Sequence, residues 1–260
     1  MKTAQDHNHL SYSQINSFMT CPLKYRFHYI DRLEEQFTSS ALLFGSGIHA
    51  GIQAYLQSIL EADPLRPDQL LDVYREEWRG SHGPKIRYSA RESEESLVNK
   101  ARELFTLFVD QYDLEAEVIA VEEAFTIDLN ELAAEDPSTL PPLTGYVDAI
   151  IKNGSTTLID YKTSSRKPGG DVNAMQLVAY SLGATTLGYE PNELAYRYEY
   201  LVKTAKPELI TYPVAVGDNE RRRFLKTTTR VWKAIQSAVF FPNPSYLCSS
   251  CGYQSHCKEW

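Results

Sequence analysis

Two acids and a lysine stand near the middle of the chain, in residues that read as paired strands. Asp148 closes Gly145-Tyr146-Val147-Asp148, just ahead of Ile150 and Ile151, and Asp160 and Lys162 belong to Leu158-Ile159-Asp160-Tyr161-Lys162. Strand side chains alternate faces, so Leu158, Asp160 and Lys162 form one row, while Ile159 and Tyr161 point the other way. An acid and an amine side by side at a strand end suit phosphodiester hydrolysis. The acid can hold a divalent metal; the ammonium can orient or help deprotonate the attacking water, or steady charge on the phosphate. Asp148, on the neighbouring strand, can offer a second carboxylate to the same metal. Hard oxygen ligands favour Mg²⁺ or Mn²⁺. Gln176 and Tyr180, spaced i, i+4 on a helix starting near Val172, share a face and could both reach the site. An isolated Asp-x-Lys is most often an exposed ion pair; the strand context and the Gln/Tyr pair set this one apart.

The flanking residues supply the elements. Lys152-Asn153-Gly154-Ser155 is a turn, because Asn-Gly between two apolar runs is a strong hairpin signal. Before it, Ala116 to Leu129 alternates like a strand, and Ala133 to Pro142 is an acidic, proline-containing loop. After the Gln176/Tyr180 helix come a Tyr-rich strand (Leu194 to Val202), a turn (Lys203 to Glu208) and a further strand (Leu209 to Val216). Ser39 to Leu60 reads as a helix carrying His49. From 61 to 116 the chain is helical around a polar loop, Gly80 to Ala90, with Leu97, Ala101, Leu104, Phe105 and Phe108 at helix spacing. At the start, Ser13 is an expected N-cap, with Ile15, Phe18 and Met19 following at helical spacing until Cys21-Pro22 breaks the helix.

The sequence G-x-V-D, I-D-Y-K-T and then Q-x-x-x-Y resembles the nuclease signature of the PD-(D/E)XK superfamily, in its RecB-like branch. The resemblance implies that Asp148 and Asp160 are metal ligands and Lys162 the catalytic lysine. It implies that the Tyr161 backbone carbonyl completes the metal shell, and that Gln176 and Tyr180 support the site or hold DNA. Gly45-x-x-x-His49 matches a motif ahead of the family's core, where the histidine is a metal ligand or contacts the phosphate. A glutamate in the preceding strand often helps shape the metal site; Glu122 is the best match, and Glu123 should face away. The order helix, three strands, helix, strand is the common core of that superfamily, which implies an α/β fold with a central mixed sheet flanked by helices. On this reading residues 1–260 are a single nuclease domain, with 61–116 a helical insertion.

All four cysteines fit one pattern, Cys21 and then Cys248-x2-Cys251-x5-Cys257. Four thiolates can hold zinc or an iron–sulfur centre, and His256 could replace one of them at a zinc site. The tail after residue 240 is short and rich in Pro, Ser and Gly, so such a centre would supply its order and tie 240–260 to 10–30. Together with LSYSQINSFMTCPLKYRFHYI, the cysteines resemble those of iron-staple nucleases, the AddB subunit and the CRISPR-adaptation nucleases. That resemblance implies a structural 4Fe–4S cluster.

A formal net charge of −8 argues against a nonspecific nucleic-acid coat, although a nuclease needs only a local positive groove. Arg222, Lys226, Arg230 and Lys233 form a stripe on an expected helix from Asp218 to Val239, while Phe224, Val231, Ile235 and Val239 lie elsewhere. The stripe is either a solvated face or a surface for tracking single-stranded DNA. The acidic stretch from Glu92 to Asp136 suits an outer or partner-facing surface. No apolar run is long enough for a membrane span and the N-terminus has no secretory h-region, so a cytoplasmic location is the default. The expected function is a metal-dependent exonuclease acting on single-stranded DNA or DNA ends, in repair, recombination or CRISPR adaptation with a possible protein partner. The alternatives are a nuclease-fold DNA clamp and a zinc-binding structural protein.

Overall fold

The computed structural model describes residues 8–81, 85–90, 92–132, 140–170 and 172–260. Most of the expected acidic loop (133–139) and part of the polar loop (82–84) lie outside these residues. The chain opens with helices α1 (Tyr12–Thr20) and α2 (Pro22–Tyr25) and a π-helical turn (Arg26–Ile30). A two-residue strand β1 (Thr38–Ser39) leads into α3 (Ser40–Leu60), then α4 (Pro67–Ser81), β2 (Ile86–Arg87) and α5 (Glu94–Gln111). Next come β3 (Glu117–Ile127), α6 (Leu129–Leu132), β4 (Leu143–Asn153), β5 (Ser155–Ser164) and α7 (Met175–Gly183). The chain closes with β6 (Ala195–Val202), β7 (Glu208–Pro213), α8 (Asp218–Gln236) and α9 (Gln254–Glu259).

The central sheet has the order β3-β4-β5-β6-β7, with only the β5–β6 pair parallel. It is therefore the mixed, helix-flanked sheet that the order of elements predicts. The β4–β5 hairpin turns at Gly154, whose φ of 72° is the left-handed conformation glycine adopts without steric cost.

Each face of the sheet is buried against helices, which is why its central strands carry apolar residues on both sides. One face presents Val147, Ile150, Leu158 and Tyr198 to α1, α7 and α8, which contribute Ile15, Phe18, Leu177, Phe224 and Trp232. The other presents Ala149, Ile151, Ile159, Tyr161 and Leu201 to Phe44, Ile48, Tyr74, Leu104, Phe105 and Phe108 of α3, α4 and α5. The helices of 61–116 join α3 in the layer that covers this second face. The termini meet in a small third cluster, Leu23, Phe27 and Tyr253, with Cys21 and Cys251 against it. Hydrogen bonds from the Leu23 N–H to the Phe241 carbonyl (3.0 Å) and from the Gln36 N–H to the Gly252 carbonyl (3.0 Å) fasten the tail.

Several element boundaries differ from those expected. Ser11, not Ser13, caps α1: its backbone is extended and its hydroxyl accepts from the Gln14 N–H at 3.2 Å, leaving Ser13 inside the first turn. Helix α7 begins at Met175 rather than Val172, after Asn173 Oδ1 accepts from the Met175 N–H. Helix α8 stops at Gln236, and Ala238, at φ 53°, turns the chain so that Val239 lies outside the helix, exposed. Strand β7 ends at Pro213, which has no N–H to donate to a ladder.

Candidate active site

The site lies where β4 and β5 part. Their pairing runs from Asn153↔Ser155 to Ala149↔Ile159 and stops there, with Asp148 and Asp160 next in line. Separation of the strands frees backbone groups that must find other partners. Asp148 Oδ2 accepts the Tyr161 N–H at 2.9 Å, so the carboxylate replaces the lost strand and is fixed by the main chain.

Across the gap, α7 closes a circuit of side chains. Lys162 Nζ lies 2.5 Å from Asp160 Oδ2 and donates to Gln176 Oε1 at 2.8 Å. Gln176 Nε2 donates to the Tyr180 hydroxyl at 2.9 Å, so one amide serves both neighbours. The Tyr180 hydroxyl stands 3.1 Å from both Asp148 Oδ1 and Asp160 Oδ1. A phenol has one hydrogen to donate, so a single proton is shared between two acids. Asp160 is fully buried, whereas the Lys162 side chain is about one-third exposed. The amine therefore reaches solvent and the acid does not.

His49 and Glu122 approach from other elements. His49, on α3, places Nδ1 3.5 Å from Asp148 Oδ2. Burial lowers its pKa and the Lys162 charge adds to this; Asp160 and a hydrogen bond to the Tyr161 backbone act the other way. Glu122 sits in β3 at φ 51°, a conformation a non-glycine residue adopts only under local constraint. The β3–β4 pairing skips it, running from Val121↔Ala149 to Glu123↔Val147. Burial, then the charges of Asp148 and Asp160, push its carboxyl up to about 7. Burial is also the main cause that raises Asp148, and Asp160 is pushed up to about 6. Glu123 is exposed, as strand alternation predicts.

Two nearly buried carboxyl groups share one lysine, and a third, that of Glu122, lies near enough to feel their charge. That donor set is hard, oxygen-rich and short of positive charge, which is the chemistry that suits Mg²⁺ or Mn²⁺. The acids are closed on one another through Tyr180 and Lys162, and no group of three or more His, Cys, Asp or Glu among the described residues is arranged to hold a metal ion.

Sequence reasoning overlooked the tyrosines beside these acids. In the β5–β6 register Asp160 pairs with Tyr198 and Lys162 with Tyr200, and Lys162 Nζ lies 5.8 Å from the Tyr198 ring centre. Tyr12 joins them from α1: burial, and next the charge of Asp160, push its pKa up to about 12. The signal was present, since Tyr198 and Tyr200 share the site face by alternation, but Tyr12 reaches it only through the tertiary fold.

The four cysteines lie apart from these acids, around one cavity at the chain termini. All are free thiols, and all line one cavity of about 400 Å³ with Leu23, Phe27 and Tyr253. Burial raises the Cys251 thiol, with Cys21 and Cys248 adding to the effect; Cys257 responds to burial and to the other three. His256 lies against Phe27, with ring centres 6.0 Å apart. On α8, Arg222, Lys226 and Arg230 line a shallow groove of about 600 Å³ with Arg223, while Lys233 is half-buried and lies outside it.

The chain belongs to the PD-(D/E)XK nuclease superfamily, whose family model matches residues 9–258. It is similar to the gene 69 protein of Mycobacterium phage D29, with 25% identity over 274 residues spanning 95% of each chain. In fold, all of it resembles 93% of a candidate exonuclease from Eubacterium rectale, with a TM-score of 0.59 at 13% identity. No helix among the described residues is long and apolar enough to cross a membrane.

Proposed function

We propose that this protein is a metal-dependent deoxyribonuclease of the RecB-like branch, an exonuclease acting on single-stranded DNA or DNA ends. The observation that carries this reading is the circuit of Lys162, Gln176, Tyr180, Asp160 and Asp148 at the parted strands, in a member of a nuclease superfamily. Asp148 and Asp160 would hold Mg²⁺ or Mn²⁺, with His49, Glu122 and the Tyr161 carbonyl beside them. A bound divalent cation supplies Lewis-acid polarisation of the phosphoryl oxygen and stabilises the charge that develops there.

The remaining roles fall to the chain's own groups. Lys162 is the positive group that reaches solvent, so it can meet the phosphate and hold the attacking water by a hydrogen bond. Gln176 fixes the Lys162 ammonium, and Tyr180 keeps the two acids at one separation. Asp148 also anchors the Tyr161 backbone. The groove along Arg222, Lys226 and Arg230 offers phosphates a positive surface. Lys233 belongs to the same proposed stripe.

At the termini, Cys21, Cys248, Cys251 and Cys257 would hold a 4Fe–4S cluster of structural rather than catalytic role. What supports this reading is that four free thiols line one cavity, although no three of them are arranged as metal ligands among the described residues; zinc would use the same donors. The reading places the protein in repair, recombination or CRISPR adaptation, where a protein partner could join it, and in the cytoplasm.

The test is cleavage of end-labelled single- and double-stranded DNA with Mg²⁺ or Mn²⁺ by anaerobically purified protein, beside Lys162→Ala. Metal-dependent cutting that falls by roughly 10²-fold or more in the variant supports the assignment. Equal cutting by Lys162→Ala refutes the role of Lys162. DNA binding without cutting by the wild type favours the DNA-clamp alternative.

A further inference from the structure

Besides Tyr180, three tyrosines (Tyr12, Tyr198 and Tyr200) border the acidic site, with Tyr212 beside Tyr198 on β7, and these four divide into two kinds. Tyr198 and Tyr212 are cross-strand partners whose hydroxyls are committed: Tyr198 donates to the Asn173 carbonyl at 2.9 Å and Tyr212 to the Gly170 carbonyl at 2.5 Å. Both hold the segment that leads into α7. Tyr12 and Tyr200 differ. Each is half-buried, and neither hydroxyl makes a hydrogen bond to another described residue. The Tyr200 ring meets only the edge region of Tyr198, with centroids 5.8 Å apart at 57°, and Tyr12 has no ring partner among the described residues.

Both rings pack on the sheet face that carries Asp160 and Lys162. Tyr200 is directly across the ladder from Lys162. Tyr12 and Tyr200 both feel the charge of Asp160, and Tyr12 feels Tyr200. Both pack their inner sides on the core of this sheet face, which holds them in place without covering their outer sides. An aromatic face that is rigid and partly open beside a cation and a pair of acids suits a nucleobase whose own phosphate sits at the cation. Base–aromatic stacking is strong and tolerant of sequence, because every base has a π-face. A base inside a duplex has both faces covered by its neighbours, whereas an unpaired base has one to give.

We propose that Tyr12 and Tyr200 form a stacking platform for one unpaired nucleobase next to the scissile phosphate, so that the enzyme selects single strands and frayed ends by stacking. The proposal rests on the nuclease reading above and adds the recognition element to that site. The phosphate is met by Lys162 and the base by the two rings, which sets the strand across the end of β5 and β6. Tyr198, buried and hydrogen-bonded, supports the platform and does not touch the base.

The experiment steps a single abasic residue along a single-stranded oligonucleotide and measures kcat/KM of cleavage, and affinity by fluorescence anisotropy, for each position. For wild-type protein one position next to the cleaved bond should lose about tenfold, the size of one base–aromatic stack. Tyr12→Leu and Tyr200→Leu, which keep apolar bulk, should lose a similar factor on the intact strand and show no further loss at that abasic position. Tyr200→Phe, which keeps the ring, should restore the abasic penalty. A wild-type protein indifferent to abasic residues at every position overturns the platform while leaving the nuclease reading intact. So does an abasic penalty of the same size in the leucine variants. A wild type that cuts no DNA under any metal condition overturns the nuclease reading. In that case affinity decides the platform, and equal binding of intact and abasic strands overturns it.

Discussion

At the scale of single residues, the site is a problem of too many acids for one amine. The Tyr180 hydroxyl donates one hydrogen to two carboxylates, so Tyr180→Phe should leave Asp148 and Asp160 facing one another without it. The expected cost to the metal-free protein is about 1–3 kcal/mol, the range for a buried group deprived of its partner, measured by urea unfolding in EDTA. Glu122 gives a pH dependence with a definite sign. Its folded pKa is raised from the ordinary 4.5 to about 7, so the folded protein keeps a proton that the unfolded chain has released. Its stabilising contribution is therefore present below about 4.5 and is lost as pH rises through about 7. Asp160, raised to about 6, acts in the same direction. The metal-free protein should melt at a higher temperature at mildly acidic than at mildly alkaline pH, and Glu122→Gln should flatten that slope. Added Mg²⁺ should raise the alkaline melting temperature, since an ion that binds the folded acids stabilises the fold by mass action.

Elements place these residues through close approach. Helix α3 carries His49 towards Asp148 while its other side presses on α4 and α5 through Gly47 and Gly51, one helical turn apart. A Cβ at Gly47 would come within 2.5 Å of the Tyr74 ring, and one at Gly51 would collide with Phe105. Gly51→Ala should therefore destabilise the protein by about 1–3 kcal/mol, the usual cost of overpacking, read from the shift of the urea midpoint at unchanged slope. At this scale the hairpin was legible because Asn-Gly needs only a local backbone preference. The first residues of helices were less so: Ser11 and Ser13 are chemically identical caps, and only the bond to the Gln14 N–H selects Ser11.

For the whole molecule, the ends of the chain matter as much as its centre. Cys21 closes α1, whose first residue, Tyr12, stands at the acidic site, so the terminal cluster and the site are joined by one short helix. Under the proposed cluster, Cys251→Ser should lose iron and visible absorption and melt at a lower temperature than the wild type, as followed by metal analysis and absorption spectroscopy. A stable, brown Cys251→Ser protein would count against the staple. A colourless wild type containing zinc would assign the same four thiolates to zinc.

The residues of the site were legible in the sequence because their spacing is local. Strand alternation puts Asp160 and Lys162 on one face, helical spacing puts Gln176 and Tyr180 on another, and Asn-Gly folds Asp148 back toward them. The mixed sheet between helices followed from the order of these elements and the family they resemble. What the sequence left open was every relation between distant segments. The parting of β4 from β5 depends on where a ladder stops, the left-handed backbone at Glu122 on how the edge strand β3 pairs with β4, and Tyr12 on how α1 packs across the sheet. The helices of 61–116 likewise show their amphipathic faces in sequence, but only packing decides that they cover one face of the sheet. Local pattern fixes which way a side chain points from its own element; only the burial of both sheet faces decides what it meets there.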